Sequence, residues 1–205
     1  MNENGIEIKN ILKDSIVFHI PLKYMMNAIK IEIENLPFNR VNVDLYQIEI
    51  KGLIPGKTYE NLYLKIFDTN DEFKKFKIDS FKTLEGNNTE KMIVKFYEEV
   101  LEEEIKENKF NYWNKKISSN EKTFKEFCEY VLKINKFSVK KLSDMEFLNL
   151  IYRILINDFT NDVLYFWTFY FEFKLKSLSV IDRRKQIFSK IFQEYTSSCD
   201  RELIY

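Results

Sequence analysis

Glycine and proline are scarce, with four glycines and three prolines in 205 residues. They are also unevenly placed. Gly5, Gly52, Gly56, Gly86, Pro21, Pro37 and Pro55 all fall in the first 86 residues, and none follows. Turn-rich β-structure needs these residues and helix interiors exclude them. The chain should therefore divide into a β part and a helical part, with the change at Glu85-Gly86-Asn87-Asn88. His19 is the one histidine, without the histidine or closely spaced cysteine partners of a zinc site or the nucleophile a catalytic base would serve. On a strand of alternating faces it points away from Phe18 and Ile20, toward solvent. Two cysteines, Cys128 and Cys199, cannot make a disulfide framework. Cys128 shares a helical face with Phe124 and Val131 and reads as a small buried hydrophobe. There is no glycine-rich phosphate loop, no Gly-x-Ser-x-Gly and no His-Glu-x-x-His. The 32 basic and 32 acidic residues cancel, which argues against a general nucleic-acid or acidic-membrane binder. No apolar run approaches the roughly 18–20 residues of a membrane helix. The N-terminus shows neither a basic n-region nor an apolar h-region. These absences predict a chain made in a reducing cytoplasm, or leaving it without a signal peptide, with no catalytic residues, cofactor or metal.

What is present is material for a core, since 45% of residues are hydrophobic and 31% charged. Before the boundary the apolar period is two. Ile6 and Ile8 open the pattern, followed by Ile16, Phe18 and Ile20. Ile29, Ile31 and Ile33 come next, then Val41, Val43 and Leu45, then Ile48 and Ile50. Tyr63–Phe67 and Phe76–Phe81 flank the polar turn Asp68-Thr-Asn-Asp-Glu72. About seven short strands with turns between them predict an antiparallel β-sandwich over residues 1–84, followed by a linker at 85–89. The turn has the opening rhythm of a calcium loop, but Phe73 stands where glycine belongs and Asp79 where glutamate belongs. A hairpin explains it.

After the boundary the period becomes helical. Met92, Ile93, Phe96, Tyr97, Val100 and Leu101 make one stripe, and Phe110, Trp113 and Ile117 another. Ser118-Ser-Asn-Glu121 reads as a capping box for a third helix carrying Phe124, Phe127, Cys128, Val131 and Leu132. Ser143 and Glu146 form a second box, stapled by Leu142 and Phe147. The pattern then restarts with Ile151, Ile154 and Leu155, the Trp167 stretch, and Ile187 to Tyr195. Tyr97 stands before Trp113 much as Tyr152 stands before Trp167. The reading is an all-α six-helix double repeat over 90–205, with a period of about 54 residues.

Two resemblances follow. Leu53, Pro55, Gly56 and Tyr59 match the Leu-x-Pro-x-x-x-Tyr corner of the fibronectin type III family, and Ser80-Phe-Lys-Thr83 looks like the end of its last strand. The family's core tryptophan in the second strand is replaced by Phe18, His19 and Ile20. A tyrosine at that corner can return its hydroxyl to nearby backbone. The helical part resembles the DUF4214 domain of bacterial surface and phage proteins. Glu146-Phe-Leu-Asn-Leu-Ile-Tyr152 with Trp167 carries it in one unit, and Phe96-Tyr97 with Tyr112-Trp113 in the other. The family's loop before the tryptophan is not kept: Asn157, Phe159, Thr160 and Val163 stand there. The first resemblance implies a spacer and adhesion scaffold without chemistry of its own, and both imply an assembly on a bacterial surface or a phage particle.

The stretch Asp162–Lys174 is the most aromatic in the chain. Read as a helix, it carries Trp167 on one face and Tyr165, Phe166, Phe169, Tyr170 and Phe173 around the rest of the cylinder. A helix apolar on nearly every side is expected to be buried on nearly every side, with the helical half built around it. The alternative is an exposed patch for a partner or for self-association. Asn157-Asp158 and Asn161-Asp162 form an acidic loop, with helix capping set against calcium. Glu98, Glu99 and Glu102–Glu104, Lys74-Lys75-Phe76-Lys77 and Arg183-Arg184-Lys185 read as solvated faces. The expected function is a non-catalytic structural or interaction protein of a phage virion (tail, fibre or neck) or a bacterial surface assembly. Its partners would be other protein subunits, a second copy among them. A carbohydrate-binding or adhesion module, calcium-assisted, is the alternative.

Overall fold

The computed structural model describes residues 6–36, 40–44, 47–134, 142–156 and 160–202. Leu45, Asn157, Asp158 and Phe159 lie outside them, as do the side chains of Val41, Asn161 and Cys199. Antiparallel strands come first and helices follow. Strands β1 (Glu7–Ile11), β2 (Ser15–His19), β4 (Arg40–Asp44) and β5 (Gln47–Lys51) form one sheet in the order β1-β2-β5-β4. Strands β3 (Lys30–Glu34), β7 (Tyr63–Phe67) and β8 (Phe73–Lys77) form a second, in the order β3-β7-β8. A two-residue pair, β6 (Thr58–Tyr59) and β9 (Phe81–Lys82), stands apart. The period-two pattern fixes which side chains point inward. Ile16 and Phe18 of β2, Ile48 and Ile50 of β5, Leu64 and Ile66 of β7 and Phe76 of β8 enter one core cluster.

Three local details depart from the sequence pattern. Ile29 precedes β3 and is exposed. A four-residue helix, α1 (Leu22–Met25), follows Pro21. Phe76–Phe81 is also not one strand. Ile78 leaves the sheet to donate its amide to the Leu62 carbonyl at 3.0 Å, and Phe81–Lys82 pairs with Thr58–Tyr59 instead.

The helices are α2 (Asn88–Leu101), α3 (Glu107–Ser118), α4 (Phe124–Ile134), α5 (Asp144–Leu155), α6 (Asn161–Tyr170) and α7 (Val180–Glu202). A π-helical turn, Phe171–Leu175, continues α6. The Ser143–Glu146 capping box is formed in both directions. The box expected at Ser118–Glu121 is not. Helix α3 runs through Ser118, Asn120 turns the chain at φ 56°, and the box forms at Thr123 with Glu126 (2.9 and 3.2 Å).

Contacts divide the chain into two compact units, and the division does not follow the 85–89 linker. One unit holds residues 1–92 and 105–115, and the other 93–104 and 116–205. The sheets thus keep the start of α2 and most of α3, including Phe110 and Trp113, both buried. Hydrogen bonds inside this unit explain why. The Tyr59 hydroxyl accepts from the Ile54 amide at 2.7 Å and donates to Glu107 at 3.3 Å. Asn111 donates to the Gly52 carbonyl at 2.8 Å. Gly52 and Gly56 stand at φ 82° and 72°, left-handed conformations that a side chain would strain, so the Leu53-Ile-Pro55 crossover needs both. Thr83 closes it by donating to the Ile54 carbonyl at 2.7 Å.

Glu90 joins three parts of this unit. It accepts from the Asn87 amide at 2.8 Å while the Asn87 side chain caps the Glu90 amide at 2.9 Å. It also accepts from Lys13 at 2.9 Å and from Asn114 of α3 at 3.2 Å. Burial alone would raise its pKa; the bonds from Lys13, Asn87 and Asn114 outweigh burial and hold the carboxyl below its ordinary 4.5.

Two outcomes are expected. Tyr59→Phe orphans the buried Ile54 amide and should cost about 1–3 kcal/mol in denaturant unfolding. The depressed Glu90 pKa means its stabilisation is present above pH 4.5 and is lost as pH falls through the folded value. Glu90→Gln should therefore be less stable than the wild type at neutral pH and should lose less stability on acidification.

Candidate functional site

The other unit is organised around Phe96, not around the Trp167 helix. The Phe96 ring meets Phe124 at 6.4 Å, Phe127 at 6.2 Å and Phe188 at 6.5 Å between centroids, mostly edge-on. Cys128 is fully buried among these helices, and burial pushes its thiol well up. Arg183 and Arg184 are not a solvated face. Asp144, at the start of α5, accepts from Arg183 Nε at 2.5 Å and Arg184 Nε at 3.1 Å. Arg184 also donates to the Leu142 carbonyl and lies 5.2 Å from the Phe147 ring. A buried guanidinium needs such partners, and the acidic start of a helix supplies one.

Helix α6 has more apolar residues than its inward face can take. Trp167 is 1% exposed, whereas Tyr165 is 77%, Phe169 64%, Phe173 69% and Phe166 47% exposed. Tyr170 and Phe171 are half-buried. The expectation of burial on nearly every side is therefore corrected: Tyr165, Phe166, Phe169 and Phe173 are exposed. The error came from treating hydrophobicity as burial. One helix side buries one stripe, and here that stripe is Trp167, Phe171 and Leu175 at i, i+4, i+8. In a pure α-helix the last of these would stand about 80° round from the first. The π-helical turn inserts the extra residue that keeps Leu175 inward. Phe173 lies beside Phe169, about one turn on, with ring centroids 4.3 Å apart.

Beside this stripe α6 and α7 border an open cleft of about 570 Å³, lined by Asp162, Phe166, Trp167, Lys190, Gln193, Glu194 and Ser197 with Tyr152 at its floor. The Tyr152 hydroxyl donates to Glu194 at 2.5 Å. Lys190 places its ammonium 5.2 Å from the centroids of both Phe166 and Tyr170, which stack on each other at 5.7 Å. That cation lies against the Phe166–Tyr170 pair, and Tyr165, Phe169 and Phe173 are the more exposed rings.

No family model, curated protein or solved structure matches the chain.

The remaining sequence candidates have structural work. Leu53 is buried, Pro55 lies in the crossover, and Tyr59 and Trp113 are held as described above. His19 is half-buried at the end of β2, opposite Glu7. Asp68 accepts from the amides of Asn70 (2.9 Å) and Glu72 (3.2 Å), so its carboxylate closes the β7–β8 hairpin. Asp162 is in the first turn of α6, capped by Thr160, which accepts from the Val163 amide at 3.4 Å. Among the described residues no group of His, Cys, Asp and Glu could hold a metal ion, and no helix is long and apolar enough to cross a membrane. The sequence reading missed Glu90 and the Asp144–Arg183–Arg184 cluster. An Asn-x-x-Glu cap signal at Asn87 could have found the first. The second is a long-range pairing with no local signature.

Trp167 reports on this unit and Trp113 on the other. Trp167→Ala should cost about 3–5 kcal/mol in denaturant unfolding at low protein concentration. Phe169→Ser or Phe173→Ser should each stay within about 0.5 kcal/mol of the wild type. Comparable losses for all three would return the stripe to the core.

Proposed function

We propose that the protein is a non-catalytic structural and interaction protein that works as a subunit of a larger assembly, a phage virion component or a bacterial surface component. The observation that carries this reading is the outward stripe Tyr165, Phe169 and Phe173 on a helix whose inward stripe is already filled. Large contiguous apolar surface on a water-soluble fold costs solubility and is commonly a contact surface. The sheets fit the scaffold role. Their strand order corresponds to that of immunoglobulin constant-type domains, four strands on one sheet and three on the other, with the tyrosine at the corner before β7 returning its hydroxyl to backbone. We read them as a fibronectin- or immunoglobulin-like sandwich. The DUF4214-like double repeat is supported by the burial of Tyr97, Tyr152, Trp113 and Trp167 in matching order. It is narrowed by contacts that group Trp113 with the sheets and Trp167 with the other helices.

A second reading, a carbohydrate-binding module, draws on the cleft. Phe166 offers an aromatic wall, and Asp162, Gln193, Glu194 and Ser197 offer the acceptors and donors that a pyranose uses. Silence on a glycan array and in a calcium titration would remove it.

The test is fractionation of producing cells and of any particles they release. The wild type should sediment with particles or envelope, and Phe169→Asp should shift to the free fraction. Wild-type protein found only as a free species would overturn the assembly reading.

A further inference from the structure

A smaller cavity, of about 210 Å³, opens inside the sheet-bearing unit between α1, Ala28 and the β7–β8 hairpin. Its apolar wall is Ile66, Ala28 and the ring of Tyr24, which stands edge-on to Phe76 at 4.9 Å. Two ammonium groups converge on that ring. Lys23 Nζ lies 4.8 Å and Lys74 Nζ 5.3 Å from its centroid. Lys74 is an unusual residue for its place. It pairs with Ile66 across β7–β8 and stands two residues before Phe76, so its phase is that of the core. An inward charge on the last strand of a sheet discourages pairing with another chain. That role needs one charge and does not account for a second ammonium on the same ring. Lys9, Lys13, Lys30, Lys51, Lys57 and Lys65 of this unit each hold a carboxylate. Among the described residues Lys23 and Lys74 hold none.

The acids of the cavity are equally unmatched. Asp68 takes both turn amides on Oδ1, which leaves Oδ2 without a hydrogen bond among the described residues. The Glu72 carboxylate also lines the cavity and is likewise unbonded among the described residues. Neither acid pairs with Lys23 or Lys74, so two positive and two negative groups border one space without meeting across it.

We propose that this cavity binds a small zwitterion of the α-amino acid class. Its carboxylate lies between Lys23 and Lys74, its ammonium faces Asp68 and Glu72, and an aliphatic side chain rests on Ile66 and Ala28. The site goes beyond the assembly reading and does not depend on it. Charge selects the ligand. A plain anion would meet the two acids as well as the two lysines, and a plain cation the reverse. A neutral molecule carrying both charges matches all four groups. Size agrees, because the space falls below the roughly 300–1,000 Å³ of sites for drug-sized ligands. The charged groups are largely in water, so the expected dissociation constant is modest, on the order of 1 mM.

The test is calorimetric titration of the full chain with the common L-amino acids, L-leucine first. For the one that binds best, the acid without its ammonium and the amine without its carboxylate are titrated too (for leucine, isocaproate and isoamylamine), together with inorganic phosphate. The amino acid should bind at least about fivefold more tightly than either truncated form or phosphate. Lys74→Gln and Glu72→Gln should each weaken it about three- to tenfold. Both side chains are exposed, so both variants should keep the wild-type circular dichroism spectrum. Failure of every amino acid to bind at roughly tenfold the expected dissociation constant would overturn the proposal. Isocaproate or phosphate binding as tightly as the amino acid would overturn it in favour of a plain anion site, and isoamylamine doing so in favour of a plain cation site. Binding indifferent to both substitutions would place the ligand elsewhere and overturn it as well.

Discussion

A buried charge has to be satisfied completely or not buried at all, and Glu90 is where the sheet-bearing unit meets that demand. Its carboxylate takes hydrogen bonds from the turn after β1, from the residue capping α2, and from α3. Lys13 and Asn114 share Oε1 and the Asn87 amide serves Oε2, and a donor lost from such a desolvated group costs about 1–3 kcal/mol or more, since the group is charged. The start of α2 and the body of α3 are therefore tied to the strands by the same atom pair. Gly86 follows from this. A Cβ there would come within 2.9 Å of Glu90 Oε2 and 3.0 Å of Pro55, so the one residue type without a side chain stands where the strands hand over to the helices. The last glycine of the chain marks the change in composition, but in the fold it gives room to the carboxylate that binds the two kinds of structure together.

The same logic of satisfaction explains why periodicity does not say which unit α3 joins. Its apolar stripe, Phe110 and Trp113, says only that one side is buried, not against what. The polar residues between them hold the answer: Glu107 reaches Tyr59 and Lys57, and Asn111 reaches Gly52. Hydrophobic pattern gives the existence and phase of an element, while specific polar pairing gives its partner. Asp144 repeats the lesson in the other unit, where its two arginines come from α7 and no spacing announces them.

Much of the fold is therefore legible in the residues, and in a physically ordered way. Strand faces such as Ile16–Phe18 and Ile48–Ile50 were readable because period two admits only one inward set. The Ser143 cap was readable because both halves of the box lie within one turn. The Thr123 cap was missed because Ser118-Ser-Asn-Glu121 offers the same letters a few residues earlier, and where α3 stops decides between them. Burial around Trp167 was unreadable for a deeper reason. A sequence shows how apolar a helix is, but the number of faces that neighbours can cover is a property of the whole unit.

That surplus is also what gives the candidate site its meaning. A single exposed phenylalanine needs no explanation, because most of a protein surface is apolar in any case. Three exposed aromatic side chains spaced four residues apart, with Lys190 against the neighbouring pair, are a different observation. The π-helical turn costs helix regularity, and what goes with it is the inward place of Leu175, which is buried as Trp167 is. A change that relieves the π-helical turn, such as deleting one residue between Phe171 and Lys174, would have to give up the buried leucine.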